Sequence, residues 1–90
     1  MTDDTVYVLA NHLRFQWEPA QNAYVLLYPE GMVKLGSSAG EILRRIDGRT
    51  SVAAIIADLE RVFPGVQLRG DVNEFLCHAR DKGWLHVRSA

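Results

Sequence analysis

A chain of 90 residues holds one small domain, which buries roughly two thirds of the surface its unfolded form exposes. Apolar residues make up 48% and charged residues 23%, which excludes a disordered segment. The formal net charge of -1 excludes a polycation drawn to nucleic acid or anionic lipid by a long-range field.

No apolar run approaches the roughly 20 residues that cross a membrane. The start, "MTDDTVYVLANH", is acidic and shows neither the basic nor the apolar segment of a secretory signal. The single cysteine, Cys77, cannot form an intramolecular disulfide; a reducing, cytoplasmic setting is the expectation.

Residues 1–12 read as an N-terminal arm held loosely outside a domain spanning 13–90, although Val6, Tyr7, Val8 and Leu9 could pair with something. In "LRFQWE", residues 13–18, Leu, Phe and Trp alternate with Arg, Gln and Glu, the period of a half-buried strand. "PAQN" is a turn. "AYVLLY", residues 23–28, is apolar on both faces, as a central strand is. In "PEG", Pro29 presets a type I turn and Gly31 is expected at the left-handed position of a three-residue hairpin loop. The return strand is Met32, Val33, Lys34 and Leu35, with Val33 and Leu35 on one face and Met32 and Lys34 on the other.

Gly36 ends that strand. Ser38-x-x-Glu41 has the form of a capping box, so a first helix is expected from there to about Ile46, with Ile42, Leu43 and Ile46 buried. Thr50 or Ser51 caps a second helix whose stripe is Val52, Ile55, Ile56, Leu59, Val62 and Phe63; "PG" at 64–65 stops it. Asp71-x-x-Glu74 is a further capping-box pattern. It opens a third helix with Val72, Phe75, Leu76 and Ala79 as its stripe and Gly83 just past its end. "WLHV", residues 84–87, is a short strand or an extended tail. The expected class is α+β: a three-stranded antiparallel sheet followed by three helices, in a winged helix-turn-helix-like arrangement.

Little in the chain supports chemistry. Asp71, Glu74 and His78 share a side of helix three, but the first two read as capping residues, and neither Cys-x-x-Cys nor His-x-x-x-His exists, so no metal is expected. Cys77, beside His78 and near Asp81, lacks a separate base and orienting group. No phosphate- or dinucleotide-binding glycine loop is present, so no cofactor is expected either. Helices two and three carry more acids than bases, Asp58, Glu60, Asp71, Glu74 and Asp81 against Arg61, Arg80 and Lys82, and Arg44, Arg45, Arg49 and Arg69 are scattered. A groove-reading helix needs clustered bases, so DNA binding is the weaker alternative for a winged helix, and no nucleic acid or membrane partner is expected.

A peptide suits the pattern better. With residues 23–28 central, Met32, Val33, Lys34 and Leu35 form an edge whose N–H and C=O groups another strand can complete. Phe75 and Leu76 of the third helix face the core by period. Asp71, His78 and Lys82 lie on one flank of its stripe and Arg69 and Arg80 on the other; either flank could line a groove. The edge could instead be covered by the chain's own arm or by a second copy, as a homodimer joined at the edge or by exchange of the hairpin.

Four stretches in a fixed order, "LLYPEG" at 26–31, residues 35–43 with Ser38 and Ala39, residues 47–55, and 71–85 from "DVNEFL" to "GWL", resemble the pyrroloquinoline quinone biosynthesis protein D family over about residues 13–85. The resemblance implies a peptide chaperone with no catalytic residue and no cofactor. Such a protein binds the precursor peptide PqqA and presents it to the radical S-adenosylmethionine enzyme PqqE, which cross-links a glutamate and a tyrosine of the peptide. It further implies that the peptide adds as a strand to Met32, Val33, Lys34 and Leu35, against Asp71, Phe75, Leu76, His78 and Lys82 of the third helix. Val33→Pro is expected to abolish that pairing.

Overall fold

The computed structural model describes residues 4–88. In chain order the elements are β1 (Tyr7–Leu9), β2 (Arg14–Glu18), β3 (Ala23–Tyr28), β4 (Gly31–Lys34), α1 (Ser37–Leu43), α2 (Val52–Val62), α3 (Arg69–Asp81) and β5 (Leu85–Val87). The expected α+β class holds: β2, β3 and β4 form an antiparallel sheet with β3 in the centre, and three helices follow. A second, two-stranded sheet pairs β1 with β5.

That second sheet changes the reading of the N-terminal arm. Tyr7 is 1% exposed and Ala10 2% exposed, both inside the core. Thr5 accepts from the Val52 N–H, Val6 accepts from the Arg88 N–H, and the Ala10 N–H donates to Trp84. Residues 5–10 are therefore tied to the start of α2 and to the C-terminal strand. Sequence patterning could not show this, because β1 and β5 are each three residues long and find each other across almost the whole chain. Residues 1–3 of the expected arm lie outside the described residues.

The hairpin between β3 and β4 is tighter than expected. Tyr28 is paired with Gly31, so the loop is Pro29 and Glu30 alone. Gly31 belongs to β4 and is not among the glycines at positive φ. Extended pairing, rather than left-handed closure, is its role.

Both expected capping boxes fail in the same way. The α1 N-cap is Gly36, with no side-chain cap, and Ser38 lies inside the helix. Glu41 turns instead to Arg44 and Arg45. α3 begins at Arg69, two residues before Asp71, with Leu68 as its N-cap. The Leu68 N–H is held by a Glu60 carboxylate oxygen at 3.1 Å, so a tertiary contact replaces the local cap. Asp71 sits in the first turn, where its charge opposes the positive end of the helix dipole. α2 follows expectation: Ser51 is the N-cap and its hydroxyl accepts from the Ala54 N–H. α1 ends at Leu43, and i→i+3 bonds from the Arg45 and Ile46 N–H groups tighten the chain there.

The core joins Tyr7, Leu13, Leu26, Leu35, Ile42, Leu43, Val52, Ile55, Ile56, Leu59, Val72, Leu76, Ala79, Trp84 and Leu85. At Gly40, α1 lies directly on β3, where a Cβ would come within 2.8 Å of the Tyr24 ring. α3 ends in a Schellman closure. Gly83 has φ +79, its N–H reaches Arg80, and the Trp84 N–H reaches Ala79. That closure swings Trp84 into the core, and its indole N–H donates to the Tyr28 hydroxyl.

Candidate functional site

The register of the β3–β4 ladder decides what β4 offers outward. The Leu35 N–H donates to Tyr24 at 3.0 Å, so Tyr24 and Leu35 are a hydrogen-bonded pair. Antiparallel ladders alternate hydrogen-bonded and open pairs. With Val25 opposite Lys34, Leu26 opposite Val33 and Leu27 opposite Met32, Val33 bonds inward to β3. Met32 and Lys34 turn their N–H and C=O groups away from the sheet. Among the described residues no strand pairs with that side of β4, and Tyr7, Val8 and Leu9 are paired with β5 instead. The expectation for Val33→Pro is corrected accordingly: it would break the hairpin itself, whereas the outward donors are those of Met32 and Lys34.

Side chains on β4 divide as the strand period requires. Leu35 is buried and Val33 half-buried, on the face turned to the core. Lys34 is exposed, and Met32 keeps 46% of its surface exposed.

The fold also distinguishes the two flanks of α3. Arg80 faces Tyr7 of β1: burial raises the Tyr7 hydroxyl above its ordinary range, and the Arg80 guanidinium partly offsets this. That side meets β1 through Tyr7. The opposite flank carries Asp71, Phe75 and His78. Asp71 and Phe75 share a cleft with Ser37 and Ser38, which follow the end of β4. The His78 ring packs edge-on against Trp84 at 5.9 Å, and Trp84 is bonded to Tyr28, opposite the first residue of β4. The flank is thus linked to Tyr28 of β3 through Trp84 and to Ser37 and Ser38 through the cleft.

Of the expected helix residues, Leu76 is 0% exposed and belongs to the core, which corrects its assignment to the groove; a side chain without exposed surface touches no ligand. Phe75 is half-buried and Asp71 exposed, and both line the cleft. His78 and Lys82 are exposed farther along the helix and do not line it.

The cleft has a volume of about 510 Å³, within the range of small-ligand sites. Its base is Ile42, Leu59 and Val72, and Phe63, Val66, Leu68 and Phe75 form its apolar walls. Sequence reasoning placed Phe63 in the core by helical period. The structure leaves it 44% exposed as the C-cap of α2. Val66, in the loop between α2 and α3, is 50% exposed. The available signal was an apolar residue on each side of the "PG" that ends α2.

One wall is fixed by charge. Arg45 bonds Asp58 of α2 at 2.7 Å and the Glu41 carboxylate at 2.9 Å, clamping α1 to α2. Its hydrogen bond is the largest influence holding the Glu41 carboxyl below the usual range. Asp58 is lowered chiefly by Arg61 and then by Arg45. Arg44, Arg45 and Arg61 are thereby engaged with carboxylates. Cys77 is exposed, no group of metal-ligating side chains forms among the described residues, and no helix among them is long and apolar enough to cross a membrane.

Comparison with known proteins adds four findings. The model of the family described as coenzyme PQQ synthesis protein D (PqqD) matches residues 23–85. A protein named PqqA binding protein from Azotobacter vinelandii is 54% identical over 80 residues, covering 88% of this chain and 87% of its own. Another of that name from Pseudomonas paraeruginosa is 52% identical over 86 residues, 94% of each chain. Among solved structures, the solution NMR structure of the PqqD truncation of Methylobacterium extorquens PqqCD superposes with a TM-score of 0.78 at 25% identity, covering 94% of this chain and 93% of that one. It is described as a functional, stand-alone recognition element for ribosomally synthesized and post-translationally modified peptides, and the winged-helix-like architecture is shared with it.

Proposed function

Because the chain belongs to the PqqD family, we propose that it binds the precursor peptide PqqA as an added strand on β4 and presents it to the radical S-adenosylmethionine enzyme PqqE. The relatives' name, PqqA binding protein, supports the choice of peptide. The observation that carries the mode of binding is the free edge of β4, where Met32 and Lys34 turn their backbone groups outward, just before Ser37 and Ser38, which share a cleft with Asp71 and Phe75 of α3. A strand laid there gains main-chain hydrogen bonds from β4 and side-chain contacts from Phe75 and its neighbours.

The protein's part in this reading is binding and delivery. The peptide loses chain entropy on ordering, so affinity rests on the few backbone bonds and on apolar anchors that lose water. Holding the peptide near the enzyme raises its local concentration. Titrating synthetic PqqA into isotope-labelled protein tests the mode of binding. The expected result is saturable movement of the Met32, Val33, Lys34 and Leu35 amides together with those of Asp71, Phe75 and His78. Unmoved β4 amides at high micromolar peptide would sink strand addition.

A further inference from the structure

We propose that the cleft between α1, α2 and α3 is a second subsite for the same peptide. It takes a bulky apolar side chain lying outside the strand-paired segment, with an adjacent Lys or Arg that meets Asp71. This rests on the reading of β4 as the strand-addition edge.

Position is the first ground. The outward backbone groups of β4 end at Lys34, and Ser37 and Ser38 already form the cleft wall. At about 3.3 Å per residue, a peptide strand that runs past Lys34 reaches the cleft within about two to four residues. The cleft is therefore the place where its chain arrives after leaving β4.

The second ground is the unclosed apolar surface. Small folds bury such side chains when they can. Here Phe63 and Val66 stay 44% and 50% exposed, over a base formed by the buried Ile42, Leu59 and Val72. Among the described residues no side chain fills this apolar socket of about 510 Å³. An aromatic or branched aliphatic side chain matches it.

Charge gives the third ground. The ionisable residues lining the cleft are Glu41 and Asp71, and no Lys or Arg lines it. Glu41 is held by Arg44 and Arg45. Asp71 makes no ion pair among the described residues. Beside the apolar socket the rim thus carries one carboxylate with no side-chain cation paired to it, offset only by the α3 N-terminus, and that attracts a cation and repels an acid.

The test is calorimetric titration of the full chain with synthetic PqqA, alongside two variants at exposed positions, Val66→Asp and Asp71→Asn, each checked for an unchanged folded spectrum. Val66→Asp is expected to weaken binding about tenfold or more while the Met32 and Lys34 amides still move at saturating peptide. Asp71→Asn is expected to weaken binding several-fold. That loss should vanish when the Lys or Arg next to the anchoring apolar residue of the peptide is replaced by Gln, the signature of a coupled pair. Both variants binding within about twofold of the parent, with β4 amides moving normally, overturns the subsite and leaves strand addition standing. Parent protein whose β4 amides never move overturns strand addition itself, so the two failures are separable.

Discussion

The ladder register makes Lys34→Pro the sharpest probe of strand addition. The Lys34 N–H points away from β3, so a proline there removes no bond from the hairpin. Edge strands tolerate proline on their open side, and the preceding Val33 is already extended, as a residue before proline must be. An incoming strand, however, loses one N–H donor and meets the pyrrolidine ring, which leaves its own carbonyl without a partner. Leaving a polar group unsatisfied costs about 1–3 kcal/mol, or roughly 5- to 140-fold in affinity. Lys34→Gln controls for the lost charge. Val33→Pro is the opposite case: it removes an inward donor opposite Leu26 and should unfold the hairpin. The assay is calorimetric titration with PqqA, paired with denaturant unfolding of each variant. Lys34→Pro binding as tightly as Lys34→Gln, with both folded, refutes the edge mechanism.

Three further outcomes test the fold that holds this edge. Tyr7→Ala should cost about 3–5 kcal/mol in denaturant unfolding, the range for emptying a buried aromatic site, whereas a loose arm would cost nothing. Gly40→Ala places a methyl 2.8 Å from the Tyr24 ring, which is stacked on Phe15 at 4.8 Å; overpacking of about 1–3 kcal/mol should appear as a lowered melting temperature. For Glu41 and Asp58, whose ordinary values are 4.5 and 3.8 and whose folded values lie lower, the stabilisation is complete above the ordinary values. It is lost as pH falls through the depressed ones. Arg45→Met should flatten the Glu41 part of that loss in unfolding midpoints measured from about pH 6 to pH 3; an unchanged pH profile would show that Arg45 is not the clamp.

What the sequence disclosed depended on how local the cause was. The strands β2 and β3 follow from alternation and from a run apolar on both faces, and α2 follows from its period and the Ser51 cap. These are determined within a few residues. Ser38 and Asp71 misled for the same reason: their spacing satisfies a local rule, but Gly36 already provides the extended residue before α1, and Glu60, eight residues upstream in the chain, holds Leu68 before α3. β1 and β5 were only half legible: residues 84–87 read as a short strand or tail and Val6 to Leu9 as able to pair, but three-residue strands carry too little periodic signal to show that they pair with each other. The open flank of α3 was undecidable from a helical wheel, since what decides it is β1 packing beside Arg80. Phe63 and Val66 looked like ordinary core and loop residues, because exposure at the end of a helix depends on which neighbour fails to arrive.

The N-terminal segment and the open edge are two sides of one arrangement. A short chain with an unpaired β4 would most readily complete that edge with its own nearest extended segment, which removes the hazard of edge-to-edge association. Here residues 5–10 are already committed. Val6 bridges Ser51, Tyr7, Val8 and Leu9 pair with β5, and the Tyr7 ring is locked in the core. Breaking those bonds to reach β4 would expose a fully buried aromatic side chain, a cost no two-residue edge repays. Residues 5–10 therefore meet the Arg80 side of α3 through Tyr7 and are held on β5 and Ser51. By fixing one flank they leave the other, together with β4, free for a strand supplied by another molecule.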